Sequence, residues 1–518
     1  MIDSIKTYLN QIPLSPFSIG VFFGILSFLL RIPFLFRYDL HYGGDPAIGY
    51  LMELRISGGD RPFYFYGQDY MGSLEPYLGA FLMKLFGASI PLAGAIGLFQ
   101  WSAAVAIFVF LFTLSTSKFD GFIAGVVAAI GVPYTLTYMT EPFTGNASNI
   151  FITSLILLAT SSILNKGGSL FRFSILGFTA GLGLFLNPQS MMASAASLTA
   201  LCFLKTAAWN SWPSFRPSFL ASLIVGALLG DIPGVWYKLS HVQTSDFFKI
   251  ASPHFMFRNI ECAGKCVLAY FDAHPISRIS DGVYFWLRIP FIQILPNGFF
   301  DDLFLVLATA VLVFIGISLR QSFRTKNFVL FLFSSLVFIN ILSLILNAKT
   351  NADVINARRY LTASAVLFSI WTAYFFTIGL KHKSKIIQIL SLLFIMMFLG
   401  RIIIHYVELV RMPDQLAEMR LSVQEMKNSG LNRGLADWPF SDILTSLSNQ
   451  QVIVATWPGP EKIPDYADIV SSSSRIAMIK TNEDKIEPVI KFNGSKYHLD
   501  GNIFKNNTFW MAPYTLMK

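Results

Sequence analysis

Charge is what this sequence has least of. Of its 518 residues only 13% are Asp, Glu, Lys or Arg, where a soluble globular chain carries about 25%. Half of the usual solvating surface is missing, and water would not tolerate the remainder. Other absences narrow the field. No Gly-x-x-x-x-Gly-Lys-Ser/Thr stretch occurs, which excludes a P-loop nucleotide site. No His/Cys cluster points to a structural metal. Only three cysteines are present: Cys202 lies in an apolar run and is expected in the core. Cys262 and Cys266 share a polar loop and could form a disulfide if that loop faces an oxidising compartment; a metal pair is disfavoured, because no second ligand pair lies nearby. No small-residue cleavage site follows the first apolar run; Arg31, Arg37 and Asp39 come instead, so this run reads as a retained anchor rather than a removed signal.

Apolar residues fill the space left by charge: 54% are hydrophobic, 50 of them Phe, and mean hydropathy is +0.55. Runs long enough to cross a hydrocarbon core of about 30 Å fall at 17–36, 91–113, 121–138, 150–164, 173–186, 191–207, 219–236, 303–319, 328–346, 360–380 and 386–406. They predict an all-α polytopic membrane protein with about eleven transmembrane helices. The net charge of +9 gives no reason to invoke nucleic acid, because Lys and Arg gather between the apolar runs. Lys118, Lys166 with Arg172, Lys205 with Arg216, Arg320 to Lys326, and Lys381 to Lys385 fall on one side, which the positive-inside rule makes cytoplasmic. An odd number of spans then puts the N-terminus inside and the C-terminus outside. The segments 39–90, 140–149, 238–300 and 347–359 face outward.

Past Tyr406 the composition turns polar. Leu416, Met419, Val423 and Met426 follow helical spacing, with Gly430 placed to end the helix. Residues 451–457 and 475–480 read as strands, and Asn493-Gly494 as a hairpin turn. The expected organisation is a transmembrane domain over 1–410 and a small extracytoplasmic α/β cap over 411–518.

The scarce carboxylates concentrate in the first outward segment, among glycines and tyrosines. Asp45-Pro46 is a helix start signal, predicting a short interfacial helix over 47–57 with Asp45 as its N-cap. The same carboxylate, held at membrane level, could equally serve as a general base. Tyr66-Gly67-Gln68-Asp69-Tyr70 is a turn in which Asp69 either pins the backbone or binds substrate.

This arrangement resembles the membrane glycosyltransferases of GT-C fold, in the protein O-mannosyltransferase and aminoarabinose-transferase superfamily. The likeness is carried by Asp45-Pro46-Ala47, by Tyr66 to Ser73, and by Glu75-Pro76-Tyr77 running to Phe86-Gly87. Further along it rests on Arg359-Tyr360-Leu361 and on Gly434 to Trp438. The resemblance implies transfer of a sugar from a polyprenyl-phosphate donor to an envelope acceptor (glycolipid, polysaccharide or protein) at the outer face of a bacterial cytoplasmic membrane. It implies Asp45 as catalytic base. Arg359, Arg358 and Arg55 are candidates for the donor phosphate, and Tyr360, Asp69, Gln68, Tyr66 and Glu75 for other substrate contacts. In relatives a second acidic residue near Glu141 positions the acceptor or a divalent metal ion; no cofactor follows from the sequence itself. A transporter or flippase of lipid-linked saccharides is the alternative. It predicts internal repeats and charged mid-membrane helices, and no clear repeat is found.

Overall fold

The computed structural model describes residues 13–131, 135, 139–142, 145–207, 217–240, 316, 320, 322, 327–347 and 362–517. Helices occupy most of the predicted apolar runs: α1 (Pro16–Phe36), α2 (Gly44–Gly58), α3 (Leu74–Phe86), α4 (Ile90–Ser115), α5 (Lys118–Ile130), α6 (Asn146–Lys166), α7 (Leu170–Leu186), α8 (Met191–Ala207), α9 (Pro217–Gly230), α10 (Ile232–Ser240), α11 (Phe328–Asn347), α12 (Thr362–Leu380) and α13 (Lys385–Arg411). Among the described residues, α1, α4 and α6 are long and apolar enough to cross a membrane by length and composition. The run at 303–319 and the loop with Cys262 and Cys266 lie outside the described residues. Cys202 is exposed on α8 rather than buried in the core; a small hydrophobe such as a free thiol is tolerated on the outward face of an apolar helix, where lipid rather than water can meet it. The run at 219–236 is broken at Asp231, between α9 and α10.

The chain divides into two compact units, one of Met1–Ile32, Leu98–Met139 and Gly145–Glu408, the other of Pro33–Gly97, Thr140–Thr144 and Leu409–Lys518. In the first, α7 and α9 pack backbone to backbone. A Cβ on Gly177 or Gly181 would come within about 2 Å of the carbonyl oxygens of Leu223 and Ala227, and one on Gly226 or Gly230 would meet those of Ser174 and Phe178. Small residues four apart permit this approach, the usual packing device where lipid supplies no hydrophobic drive between helices. Arg31, fully buried within α1, donates to the carbonyls of Ala129 (2.6 Å) and Ile130 (3.1 Å) and to the Ser27 hydroxyl (2.9 Å), with Trp101 against its guanidinium. It satisfies carbonyls that the end of α5 leaves without helical partners. Lys381, past α12, pairs with Asp120 at 2.5 Å, and Asn327 donates to Ser115 O at 2.9 Å. These contacts gather the ends of α4 and α12 and the starts of α5 and α11 together.

The second unit is built on a sheet in the order β4-β3-β5-β9-β7-β6, with β8 paired to β9. Its strands are β3 (Arg433–Ala436), β4 (Ile453–Thr456), β5 (Arg475–Thr481), β6 (Val489–Phe492), β7 (Ser495–Leu499), β8 (Phe504–Lys505) and β9 (Phe509–Leu516). Strands β3, β4 and β5 are mutually parallel, the other pairings antiparallel. The hairpin at Asn493-Gly494 forms as predicted, both residues at positive φ between paired Phe492 and Ser495, the conformation of a type I′ turn. Side chains alternate between two faces. Leu435, Ile453, Ala455, Ile476 and Met478 face a core that includes Ile48, Leu51, Met52 and Ile56 of α2. Ala436, Val452, Val454, Ala477 and Ile479 face α14 (Ala417–Asn428) and α15 (Phe440–Leu447). A further short helix, α16 (Tyr466–Ser471), precedes β5. Helix α2 is thus the covering layer of the sheet formed by the C-terminal segment, which explains why ten of its residues are buried.

Candidate active site

The approach to α2 is held at its base. Arg37 pairs with Asp39 through two hydrogen bonds (2.9 and 3.1 Å) and donates to the carbonyls of Leu409, Val410 and Met412, where α13 ends; Asp39 in turn accepts from the Gln415 amide. A cation at a helix C-terminus is favourably placed against the dipole. The segment before α2 is thereby tied to the start of the C-terminal segment.

Asp45 is not the N-cap. Gly43 occupies that position in extended conformation, the helix runs from Gly44, and Asp45 lies in its first turn. Its side chain, 25% exposed, sits 3.5 Å from Lys462 Nζ. The preceding Gly44 has no room for a side chain: an added Cβ would lie 2.6 Å from Pro439 Cβ and 2.9 Å from the Trp438 indole. The Lys462 ammonium stands 4.2 Å from the centre of that indole. Lys462 follows Glu461, whose carboxylate accepts from the amides of Thr456, Lys462 and Ile463.

Two further carboxyls face this group, and both resist ionisation. Burial, and then the charge of Asp45, hold Glu141 well above the ordinary carboxylate range. Burial, reinforced by Glu461 and Asp45 and opposed by Lys462, pushes Asp442 up to about 8. Both are therefore less ready to act as bases than an ordinary carboxylate, because burial disfavours the charged form. Glu141 comes to Asp45 because its loop lies against α4, where a Cβ at Gly94 would collide with Thr140 O.

A second buried pair lies deeper. Glu53 of α2 is wholly buried, its two oxygens have no hydrogen-bond partner among the described residues, and Gly79 of α3 leaves the space it fills. Burial and the neighbouring Glu75, itself buried in the first turn of α3, raise it well above its usual range.

The other expected site residues divide clearly. Arg55 is engaged at the opposite end of α2, with Asp60 (2.7 Å), Pro464 O (2.9 Å) and Asp465 (3.3 Å), and Tyr66 donates to the same Asp60 at 2.7 Å. Ten residues of helix separate Arg55 from Asp45, about 15 Å, so these two are not brought together. Gln68 and Asp69 fall in β2 (Gln68–Gly72), which pairs with β1 (Tyr64–Phe65). Arg358, Arg359 and Tyr360 lie outside the described residues. Among the described residues no group of three or more His, Cys, Asp or Glu could hold a metal ion. Lys462 and Asp442 were not legible in sequence. Lys462 stands in a Pro-Gly-Pro-Glu-Lys loop with no motif, and Asp442 reads as an ordinary first-turn acid.

No protein-family model and no curated protein sequence matches the chain. Solved structures do. Among them is ArnT from Cupriavidus metallidurans bound to undecaprenyl phosphate, 9% identical over 94% of this chain and 97% of that one, TM-score 0.51. The same protein in the apo state is 10% identical over 89% and 91%, TM-score 0.52. At such identities the likeness is one of fold. The chain has the GT-C fold that the sequence resemblance implied, and is a polytopic integral membrane protein with a C-terminal domain.

Proposed function

We propose that this chain is a glycosyltransferase moving a sugar from a polyprenyl-phosphate donor to an envelope acceptor at the outer face of a bacterial cytoplasmic membrane. In this reading the chain crosses the bilayer about eleven times, with its N-terminus cytoplasmic and residues 411–518 outside. The fold it shares with a protein solved with undecaprenyl phosphate bound supports a lipid-linked donor of that kind. Asp45 takes the proton of an acceptor hydroxyl as that oxygen attacks the anomeric carbon. The bond from that carbon to the phosphate oxygen breaks with inversion, and the electron pair leaves on the lipid phosphate. Arg358 and Arg359, beside Tyr360, are the proposed cations for that charge. Gln68, Asp69 and Glu75 remain proposed substrate contacts, and Arg55 and Tyr66 serve the site by fixing the far end of α2.

The observation that carries the reading is the contrast within one cluster of carboxyls. Asp45 is partly exposed beside a lysine, while Glu141 and Asp442 are buried and their carboxyls are raised above the ordinary range by that burial. The test is transfer from radiolabelled polyprenyl-phosphate sugars by wild type and Asp45→Asn in membranes at equal protein. Transfer by wild type alone is expected. Equal transfer by both would remove Asp45 from the chemistry, and no transfer combined with lipid-linked sugar crossing the bilayer would overturn the enzyme altogether.

A further inference from the structure

We infer that Lys462, carried on the loop after β4, is the positioning residue for Asp45. The inference rests on the glycosyltransferase reading for its purpose, but its geometry stands independently. The Lys462 stem runs along Gly67, whose φ of +73° brings its backbone close: an added Cβ there would lie 3.1–3.5 Å from Cγ, Cβ and Cδ of the lysine. The ammonium is then laid over the Trp438 indole at 4.2 Å, and it reaches the Asp45 carboxylate at 3.5 Å. The same indole abuts Gly44, the residue before Asp45. Gly44, Trp438, Lys462 and Asp45 therefore close a ring of contacts, and the turn that starts α2 is clamped to two loops of the C-terminal segment. Glu461, bound to three backbone amides, fixes the loop from which Lys462 projects.

The purpose follows from what surrounds the carboxylate. Glu141 from the second outward loop and Asp442 from α15 both face Asp45, and Glu461 lies near Asp442 and Lys462. Like charges around a carboxylate push it out of any one position, and an anchored ammonium within reach holds it in place, while the aromatic face beneath restricts where that ammonium can sit. The pair is partly exposed on both sides (24% and 25%), so solvent weakens the coupling relative to a buried pair.

The test uses the full chain in detergent with Lys462→Met and Lys462→Arg. A water-soluble carbodiimide couples to reachable carboxyls, and peptide mass spectrometry reads the extent of Asp45 labelling at one fixed pH without any substrate. The extent is expected to change about twofold or more in Lys462→Met, where the carboxylate is no longer held, and to stay near wild type in Lys462→Arg. In transfer assays with polyprenyl-phosphate sugars, kcat is expected to fall about tenfold in Lys462→Met and to be largely kept in Lys462→Arg, with KM for the donor altered by less than about twofold. Equal labelling of wild type and Lys462→Met would overturn the inference. So would an unchanged kcat with a raised donor KM, which would make the lysine a phosphate ligand instead. Wild type transferring nothing while the labelling difference is present would sink the enzyme reading and leave the coupling of Lys462 to Asp45 standing.

Discussion

Replacing Asp442 by Asn isolates one electrostatic strain at the site. Asp442 is wholly buried, and its carboxyl is pushed from the ordinary 3.8 up to about 8 by burial, with Glu461 and Asp45 adding to it and Lys462 opposing. The sign follows from proton counting. Below about pH 4 both folded and unfolded chains hold the proton, and stability owes the group nothing. Between there and about pH 8 the unfolded chain releases a proton that the native state keeps. Stability therefore falls as pH rises, by up to about 1.4 kcal/mol per unit for this one group. At pH 7 the accumulated cost is about 4 kcal/mol, and Asn, of the same shape and always neutral, removes it. For a unit of this size the difference corresponds to roughly 10 °C in Tm. The assay is thermal unfolding of the full-length protein in detergent, followed by tryptophan fluorescence from pH 4.5 to 8.5. Wild type and Asp442→Asn are expected to lie closest near pH 4.5, about 1 kcal/mol apart, and to diverge steadily, with Asp442→Asn the more stable at pH 8. Curves that stay parallel over the range, or a wild type more stable at pH 8, would refute the assignment of a protonated Asp442.

Two further substitutions test the packing that holds the site in place. Arg31→Met strips the donors from the carbonyls of Ala129 and Ile130. At about 1–3 kcal/mol for each buried carbonyl left unpaired, the monodisperse fraction in size-exclusion chromatography is expected to fall, with Tm lowered by several degrees. Gly79→Ala drives a methyl to 2.2 Å from Glu53 Cδ and is expected to destabilise by about 1–3 kcal/mol. Glu53→Ala in the same chain should recover most of that loss, and additive losses in the double variant would show that the two do not share this space.

Much of this protein was already written in local sequence. Apolar runs of bilayer length place the membrane helices because lipid leaves an unbonded backbone no alternative to the helix. Short, nearly continuous apolar runs in 451–457 and 475–480, and the left-handed preference of Asn493-Gly494, produce β4, β5 and the β6–β7 hairpin, since these are properties of a few neighbouring residues. The concentration of carboxylates in the first outward segment was legible for the same reason: in a chain this poor in charge, each one has a cost to justify. The tertiary structure decided what those carboxylates face. Asp45 and Lys462 lie hundreds of residues apart, and nothing in either neighbourhood encodes the other. They meet because α2 covers the sheet on which the Lys462 loop is mounted, through Ile48, Leu51, Met52 and Ile56. Only the folded chain shows Gly43 rather than Asp45 as the helix cap, Arg55 engaged by Asp60 and Asp465, and Glu141 and Asp442 buried so that their carboxyls rise above the ordinary range. Charge state and pairing are set by burial and by neighbours in space, and those exist only once the chain has folded.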